Sequence, residues 1–384
     1  VDTMGKQLAI IGASHFQNPL IEKAKEMGCE THVFAWRAGD VGERTADHFY
    51  PVSITERDAI LEQCRQIGID GICSIGSDLA NITVGYVAEA LGLTGNPTAV
   101  VARSTDKHLM RKTFASCGDP SPKSVLVEGD SRDGLSELAY PLIVKPVDRS
   151  GSRGITKLES AEGLEAALEA AFSEGFSKRA VVEEFVAGEE FSVEFVSWEG
   201  EHSFLALTKK FTTGAPHFIE TGHLEPASID EALLVRVVQV VKRALDHLGV
   251  RCGASHAEVM VDADGDVWLI EIGSRMGGDC IGSDLVRLST GIDYTGAVVD
   301  IALGNKPDLE PKDPSGCALV RFVVGQEDID VLHRLQVKAP ELIEYVSPIE
   351  EPSCKVRDSS TRFGYYIMRA ATIERLRPYL PRAM

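Results

Sequence analysis

Glu258 and Glu271 bound the stretch Glu258-Val-Met-Val-Asp-Ala-Asp-Gly-Asp-Val-Trp-Leu-Ile-Glu271, and their spacing could hold a metal ion. Apolar residues on either side of Asp264-Gly265 read as two strands joined by a two-residue turn, for which Asp-Gly is a strong signal. That turn makes Glu258 and Glu271 a direct cross-strand pair, with Cβ atoms about 5 Å apart. Like charges directly opposite one another are destabilising. A divalent cation removes the repulsion, and carboxylates plus substrate phosphates are the usual setting for Mg²⁺. An exposed hairpin with two solvated glutamates fits the same pattern, so other residues must decide.

A second group suits phosphate. Pro141-Leu-Ile-Val-Lys-Pro146 ends an apolar strand on Lys145, and Asp148-Arg-Ser-Gly-Ser-Arg-Gly154 follows. Small residues let backbone N–H groups approach a phosphate, and the arginines add charge. The loop lacks the Walker A spacing, and a lysine before a glycine loop can equally be a surface feature. Ala180 to Phe195 reads as a strand, a break at Gly188 and a second strand. In that second strand Glu190, Ser192 and Glu194 share one face, facing either a site or solvent.

The elements that must position these groups fall into three regions. Residues 7–97 alternate strand and helix: Gln7 to Gly12, Thr31 to Trp36 and Gly71 to Ile75 as strands, Pro19 to Gly28, Glu56 to Gly68 and Leu79 to Gly92 as helices. This rhythm predicts a parallel sheet of βαβ units. The turn Gly12-Ala-Ser-His-Phe-Gln is not G-x-G-x-x-G, which counts against a nicotinamide oxidoreductase. The middle region, to about Gly304, mixes helices and hairpins. Its clearest helix is Glu231 to Leu248, with Leu234, Val237, Val238, Val241, Leu245 and Leu248 in a 3.6-residue period and Gly249 as stop. A proline-rich charged linker from Lys306 then leads into a short α+β segment.

Composition narrows the class. The 384 residues are 44% hydrophobic and 25% charged, ordinary for a globular protein with two or three domains. No apolar run approaches the roughly 18 residues of a membrane span, and no signal-peptide pattern opens the chain, so a cytoplasmic location is expected, with Met4 as the natural start. The eight scattered cysteines contain no C-x-x-C and suggest reduced, mostly buried thiols. A net charge of −19 argues against a general nucleic-acid binder.

The order strand-Lys145, glycine loop, Glu183-Glu-Phe-Val-x-Gly-x-Glu190 hinge and Glu258-hairpin-Glu271 followed by Arg275 resembles the ATP-grasp superfamily along the whole chain. Within it the chain is most similar to the L-amino acid ligases and other carboxylate-amine ligases, through Lys209 to Pro226 and the closing segment Asp358-Ser-Ser-Thr-Arg-Phe-Gly-Tyr. The resemblance implies an α/β and α+β architecture: a pre-ATP-grasp parallel domain (1–97), a two-lobed ATP clamp (98–305, hinge near 183–190) and a C-terminal α+β segment (306–384). It implies ATP with Mg²⁺, Mn²⁺ being the alternative ion, small carboxylate and amine substrates, no nucleic-acid or membrane partner, and a homodimer. Lys107 and Lys145 match phosphate-contacting lysines. Ser150, Gly151, Ser152 and Gly154 match the lid over the phosphates. The main chain of Glu183, Glu184, Phe185 and Val186 matches the adenine-reading hinge, and Glu190 the ribose ligand. Glu258 and Glu271 match the metal ligands, and Arg275 the arginine facing the transferring phosphoryl group. Glu220 and His223 are placed to orient or deprotonate the amine, a structural hydrogen bond being the other reading of His223; for His217 and His256 the structural reading is stronger. Gly273 departs from the family's asparagine, leaving water or Ser274 to complete the metal shell. The expected activity is ADP-forming condensation of a carboxylate with an amine through an acyl phosphate, joining amino-acid-like molecules. A purine-pathway or bicarbonate-activating enzyme and a non-catalytic nucleotide-binding regulator are the alternatives.

Overall fold

The computed structural model describes residues 3–215 and 217–381; Val1 and Asp2, ahead of the expected start at Met4, lie outside the described residues. The first unit is a parallel sheet in the order β3-β2-β1-β4, built from β1 (Gln7–Ile11), β2 (Glu30–Phe34), β3 (His48–Tyr50) and β4 (Gly71–Cys73). Helices α1 (Asn18–Glu26), α2 (Val41–Thr45), α3 (Arg57–Ile67) and α4 (Asp78–Leu91) connect and follow the strands. The expected βαβ rhythm is present. The patterning missed α2 and β3, which are short and carry few apolar residues.

Helices α5 (Thr98–Arg103) and α6 (Lys107–Cys117) lead into an antiparallel sheet ordered β5-β8-β6-β7. Its strands are β5 (Ser124–Glu128), β6 (Leu142–Pro146), β7 (Thr156–Leu158) and β8 (Arg179–Glu184), with α7 (Leu164–Glu174) packed against β6 and β8. The third sheet has eight antiparallel strands in the order β13-β12-β9-β10-β11-β14-β16-β15. It joins β9 (Glu189–Trp198), β10 (Glu201–Thr212), β11 (Glu220–Glu225), β12 (Gly253–Val261) and β13 (Val267–Gly273) to β14 (Cys317–Phe322), β15 (Ile343–Val346) and β16 (Tyr365–Ala370). The strands of the segment after residue 306 therefore continue the sheet that carries the carboxylate hairpin.

Helix α8 (Glu231–Leu248) has the expected bounds, capped by Asp230, which accepts from the Leu233 N–H, and by Gly249 in the left-handed region. Its buried Val237, Val241, Leu245 and Leu248 pack on Phe191, Val193, Phe195, Val259 and Leu269. Alternation along the strands then sends Glu190, Ser192, Glu194, His256 and Glu258 to the opposite face. That polar face is not solvent-exposed: Ser192 and Glu194 are fully buried. Helices α9 (Val286–Thr290), α10 (Tyr294–Ala302), α11 (Gln326–Lys338) and α12 (Ile373–Leu376) complete the chain. No helix among the described residues is long and apolar enough to cross a membrane.

Candidate active site

The hairpin of β12 and β13 pairs Glu258 with Glu271, but not by the expected register. Asp262 N–H donates to the Asp266 carbonyl and Gly265 N–H to the Asp262 carbonyl, giving a three-residue loop with Gly265 at φ 81°. Val261 consequently opposes Val267, one residue away from the pairing that a two-residue turn dictates. An irregularity between the Val259–Leu269 and Glu258–Glu271 pairs takes up Ile270 as an extra residue and restores the carboxylate pair. A bulge of this kind re-aims side chains, and here both Ile270 and Glu271 line one cavity of about 670 Å³.

Two ammonium groups meet the charge of this pair. Lys107 Nζ lies 3.0 Å from Glu271 Oε1, and Lys210 Nζ lies 2.6 Å from Glu258 Oε1 and 2.7 Å from Glu190 Oε1. Burial opposes ionisation of Glu258, yet Lys210 and His256 overcome it and hold the carboxyl well below its ordinary range. Burial, with Glu258 and Glu220 alongside, raises Glu190 despite Lys210. Two hard oxygen donors in a pocket that already gathers cations fit Mg²⁺ in donor chemistry and in charge.

Elsewhere on the cavity Lys145 Nζ lies 2.7 Å from Glu183 Oε2, and Arg111 Nε donates to Glu183 Oε1 at 2.8 Å. Desolvation pushes the Glu183 carboxyl up, but Arg111 and Lys145 bring it down to about 2. Burial lowers the Lys145 ammonium. Glu183 therefore acts here through its side chain. In the expected adenine hinge the Glu184 and Phe185 amides already donate to the Lys123 and Pro141 carbonyls. The Val186 amide has no partner among the described residues. Apolar Ile143, Met260 and Ile270 also line the cavity. Ser150, Gly151 and Ser152 border the cavity; Gly154 packs instead against Pro146 and Glu174.

Arg275 borders the cavity and is fixed from the first unit, its Nε and Nη2 donating to the two Asp78 oxygens at 2.8 and 2.9 Å. This pair explains Gly273. A Cβ there would lie 3.1 Å from Asp78 Oδ1 and 3.3 Å from Arg275 Nε, so an asparagine would crowd the ion pair. The expectation that Ser274 could complete a metal shell is corrected: its hydroxyl shares a hydrogen bond with Ser104 Oγ and accepts one from Asn81 Nδ2, away from the carboxylates. Below the pair, His256 Nδ1 bonds Glu194, and its Nε2 lies 3.7 Å from Glu258. Burial disfavours the His256 imidazolium, but Glu194 and Glu258 raise it to about 9.

At the other end Glu220 accepts from Ser359 Oγ, and the Ser359 N–H reaches the Gly151 carbonyl at 3.4 Å. The glycine-containing loop around Gly151 and the C-terminal segment thus meet at the cavity. His223 is fully buried on β11, and neither ring nitrogen has a hydrogen-bond partner among the described residues. Asp279 Oδ2, 3.9 Å away, is instead held by Arg362 at 2.8 Å. The loop-histidine reading with a structural hydrogen bond is thereby corrected. Burial lowers the imidazole despite the nearby Asp279, and the His223 side chain lines the cavity.

The structure brings every expected site residue except Gly154 to this cavity. Sequence reasoning missed Asp78, Arg111, Lys210 and Asp279. Arg111 was within reach, being four residues after Lys107 on α6 and so on the same helix face.

Comparison with known proteins follows this geometry. The ATP-grasp domain family matches residues 138–283. A D-alanine–D-alanine ligase B of Pseudomonas syringae pv. tomato is 30% identical over 196 residues, covering 48% of this chain and 58% of the relative. An alanine–anticapsin ligase of Bacillus subtilis is 27% identical over 243 residues, covering 57% and 51%. The chain thus spans little more than half the length of these curated relatives. The L-amino acid ligase from Bacillus licheniformis superposes with a TM-score of 0.82 at 24% identity, covering 98% of this chain and 96% of the other. Phosphoribosylglycinamide synthetase from Anaerococcus prevotii gives 0.77 at 20%, covering 97% and 96%. The chain has the ATP-grasp fold and carries an ATP-grasp domain at residues 138–283.

Proposed function

We propose that this protein is an ATP-dependent, ADP-forming ligase that activates a carboxylate as an acyl phosphate and condenses it with an amine, joining amino-acid-like substrates. The observation that carries the reading is one cavity lined together by Lys107 and Lys145, by the carboxylate pair Glu258 and Glu271, and by a buried His223 without a hydrogen-bond partner among the described residues. The units 1–97, 98–305 and 306–384 are proposed as first domain, clamp and closing segment.

Adenine occupies the end lined by Ile143, Met260 and Ile270, reading the Val186 amide, and Glu190 takes the ribose. Lys107, Lys145 and the amides of the Ser150–Ser152 loop hold the phosphates. Glu258 and Glu271 would hold Mg²⁺, which would supply charge neutralisation at the phosphate oxygens. The substrate carboxylate attacks the terminal phosphoryl group of ATP, where Arg275, preset by Asp78, meets the developing charge. The product acyl phosphate carries a good leaving group. Glu220 orients the amine, and His223, neutral and unpartnered, accepts its proton as the amine attacks the acyl carbon and phosphate departs. The loop's hydrogen bonds with Phe218 and Ser359 place it where closing over the cavity would exclude water.

The test is phosphate release from Mg-ATP with and without pooled amino acids, with products identified by mass. Amino-acid-dependent release of ADP and phosphate, with a product one water lighter than two substrates, supports the reading. Phosphate release that needs bicarbonate replaces it with the bicarbonate-activating alternative. ATP binding without turnover replaces it with the regulator.

A further inference from the structure

Strand β10 alternates so that Lys209 reaches Glu189 at 2.9 Å over the Phe191 ring, whereas Lys210 reaches the carboxylates on the other face of the sheet. Buried there, the Lys210 ammonium touches carboxylates with three separate tasks in the proposed chemistry: Glu258 at 2.6 Å for the metal, Glu190 at 2.7 Å for the ribose and Glu220 at 3.9 Å for the amine. Glu190, Glu220, Glu258 and Glu271 are four carboxylates, against the two ammoniums Lys107 and Lys210.

We propose that Lys210 is a positioning residue, the resident counter-cation of the metal site. In the metal-free protein it holds Glu190, Glu220 and Glu258 together against their mutual repulsion. When the metal arrives, Lys210 yields its Glu258 oxygen and stays with Glu190 and Glu220. One ammonium thereby links the metal, ribose and amine ends of the cavity. A metal entering without nucleotide must displace an ion pair, so metal affinity in the wild-type protein is held down by Lys210.

This inference rests on the magnesium reading above, and the experiment separates the two. Free Mn²⁺ is followed by EPR while the wild-type protein and K210M are titrated, with and without ADP, and thermal unfolding is recorded in EDTA and in saturating Mg²⁺. K210M is expected to bind Mn²⁺ at least tenfold tighter than wild type without nucleotide. Its Tm should fall in EDTA and recover in Mg²⁺ by more than the wild-type gain. Equal or weaker Mn²⁺ affinity in K210M, or a Tm loss of the same size in both media, overturns the role of Lys210 while leaving the metal site standing. Absence of Mn²⁺ binding by both proteins even with ADP overturns the magnesium reading and the inference with it. Should K210M not fold in EDTA, refolding from urea decides: recovery in Mg²⁺ alone supports the role, and failure in both media ends it.

Discussion

Glu183 shows how one buried carboxylate can organise the cavity wall, because it fixes Lys145 at the cavity with Arg111 behind it. Its carboxyl sits at about 2 against an ordinary 4.5. A folded-state value below the unfolded one means the stabilisation is complete above the unfolded value and is lost as pH falls from about 4.5 through 2. The shift corresponds to about 3 kcal/mol. Urea unfolding of E183Q near pH 7 should show a loss of that order, and the gap from wild type should more than halve by about pH 3. A gap independent of pH would mean that packing, not charge, is what Glu183 supplies. Arg275 makes a kinetic prediction. If it meets charge that develops only during phosphoryl transfer, R275A lowers kcat by about a hundredfold or more while the KM for ATP moves only severalfold. Steady-state kinetics that show equal loss in both would remove that role.

The carboxylate hairpin shows both what was legible in the chain and why some of it was not. Alternating apolar residues around Asp264-Gly265 announce two strands and place Glu258 near Glu271, because hairpin pairing is local. The three-residue loop and the extra Ile270 are equally local, yet they shift the register in opposite senses, so their cancellation hid both. Lys210 was illegible for another reason: it reaches Glu258 through β10 beside β9 and β9 beside β12, pairings that no local pattern encodes. Gly273 looked like a lost ligand and is better understood as room for the Asp78–Arg275 pair. G273N is therefore expected not to tighten metal binding. It should displace the ion pair, lowering both Tm and turnover, as thermal unfolding and Mn²⁺ titration with ADP would show. A variant that binds Mn²⁺ more tightly with unchanged Tm would restore the lost-ligand interpretation.

Across the whole molecule, the parallel first unit reaches the site through its carboxyl-terminal edge, where Ser77 caps α4 and Asp78 extends to Arg275. Asn81 and Ser104 grip Ser274 next to it, and the Gly76 amide donates to the Met276 carbonyl. The βαβ rhythm disclosed the unit but not this junction, since the partners lie nearly two hundred residues apart and the junction uses polar groups that periodicity does not read. If the first unit sets Arg275 rather than merely packing beside it, the two members of the pair must be energetically coupled. Removing either alone leaves a buried charge without its partner, at about 3 kcal/mol or more each. Removing both leaves none, so D78N/R275A should cost less than the sum of the single variants by about 2 kcal/mol in urea unfolding. The kinetics should follow: D78N alone loses turnover through a misplaced Arg275, whereas D78N added to R275A changes kcat little further. Additive losses in both measurements would mean that Arg275 holds its position without the first unit, and that the parallel sheet contributes packing but no geometry to the site.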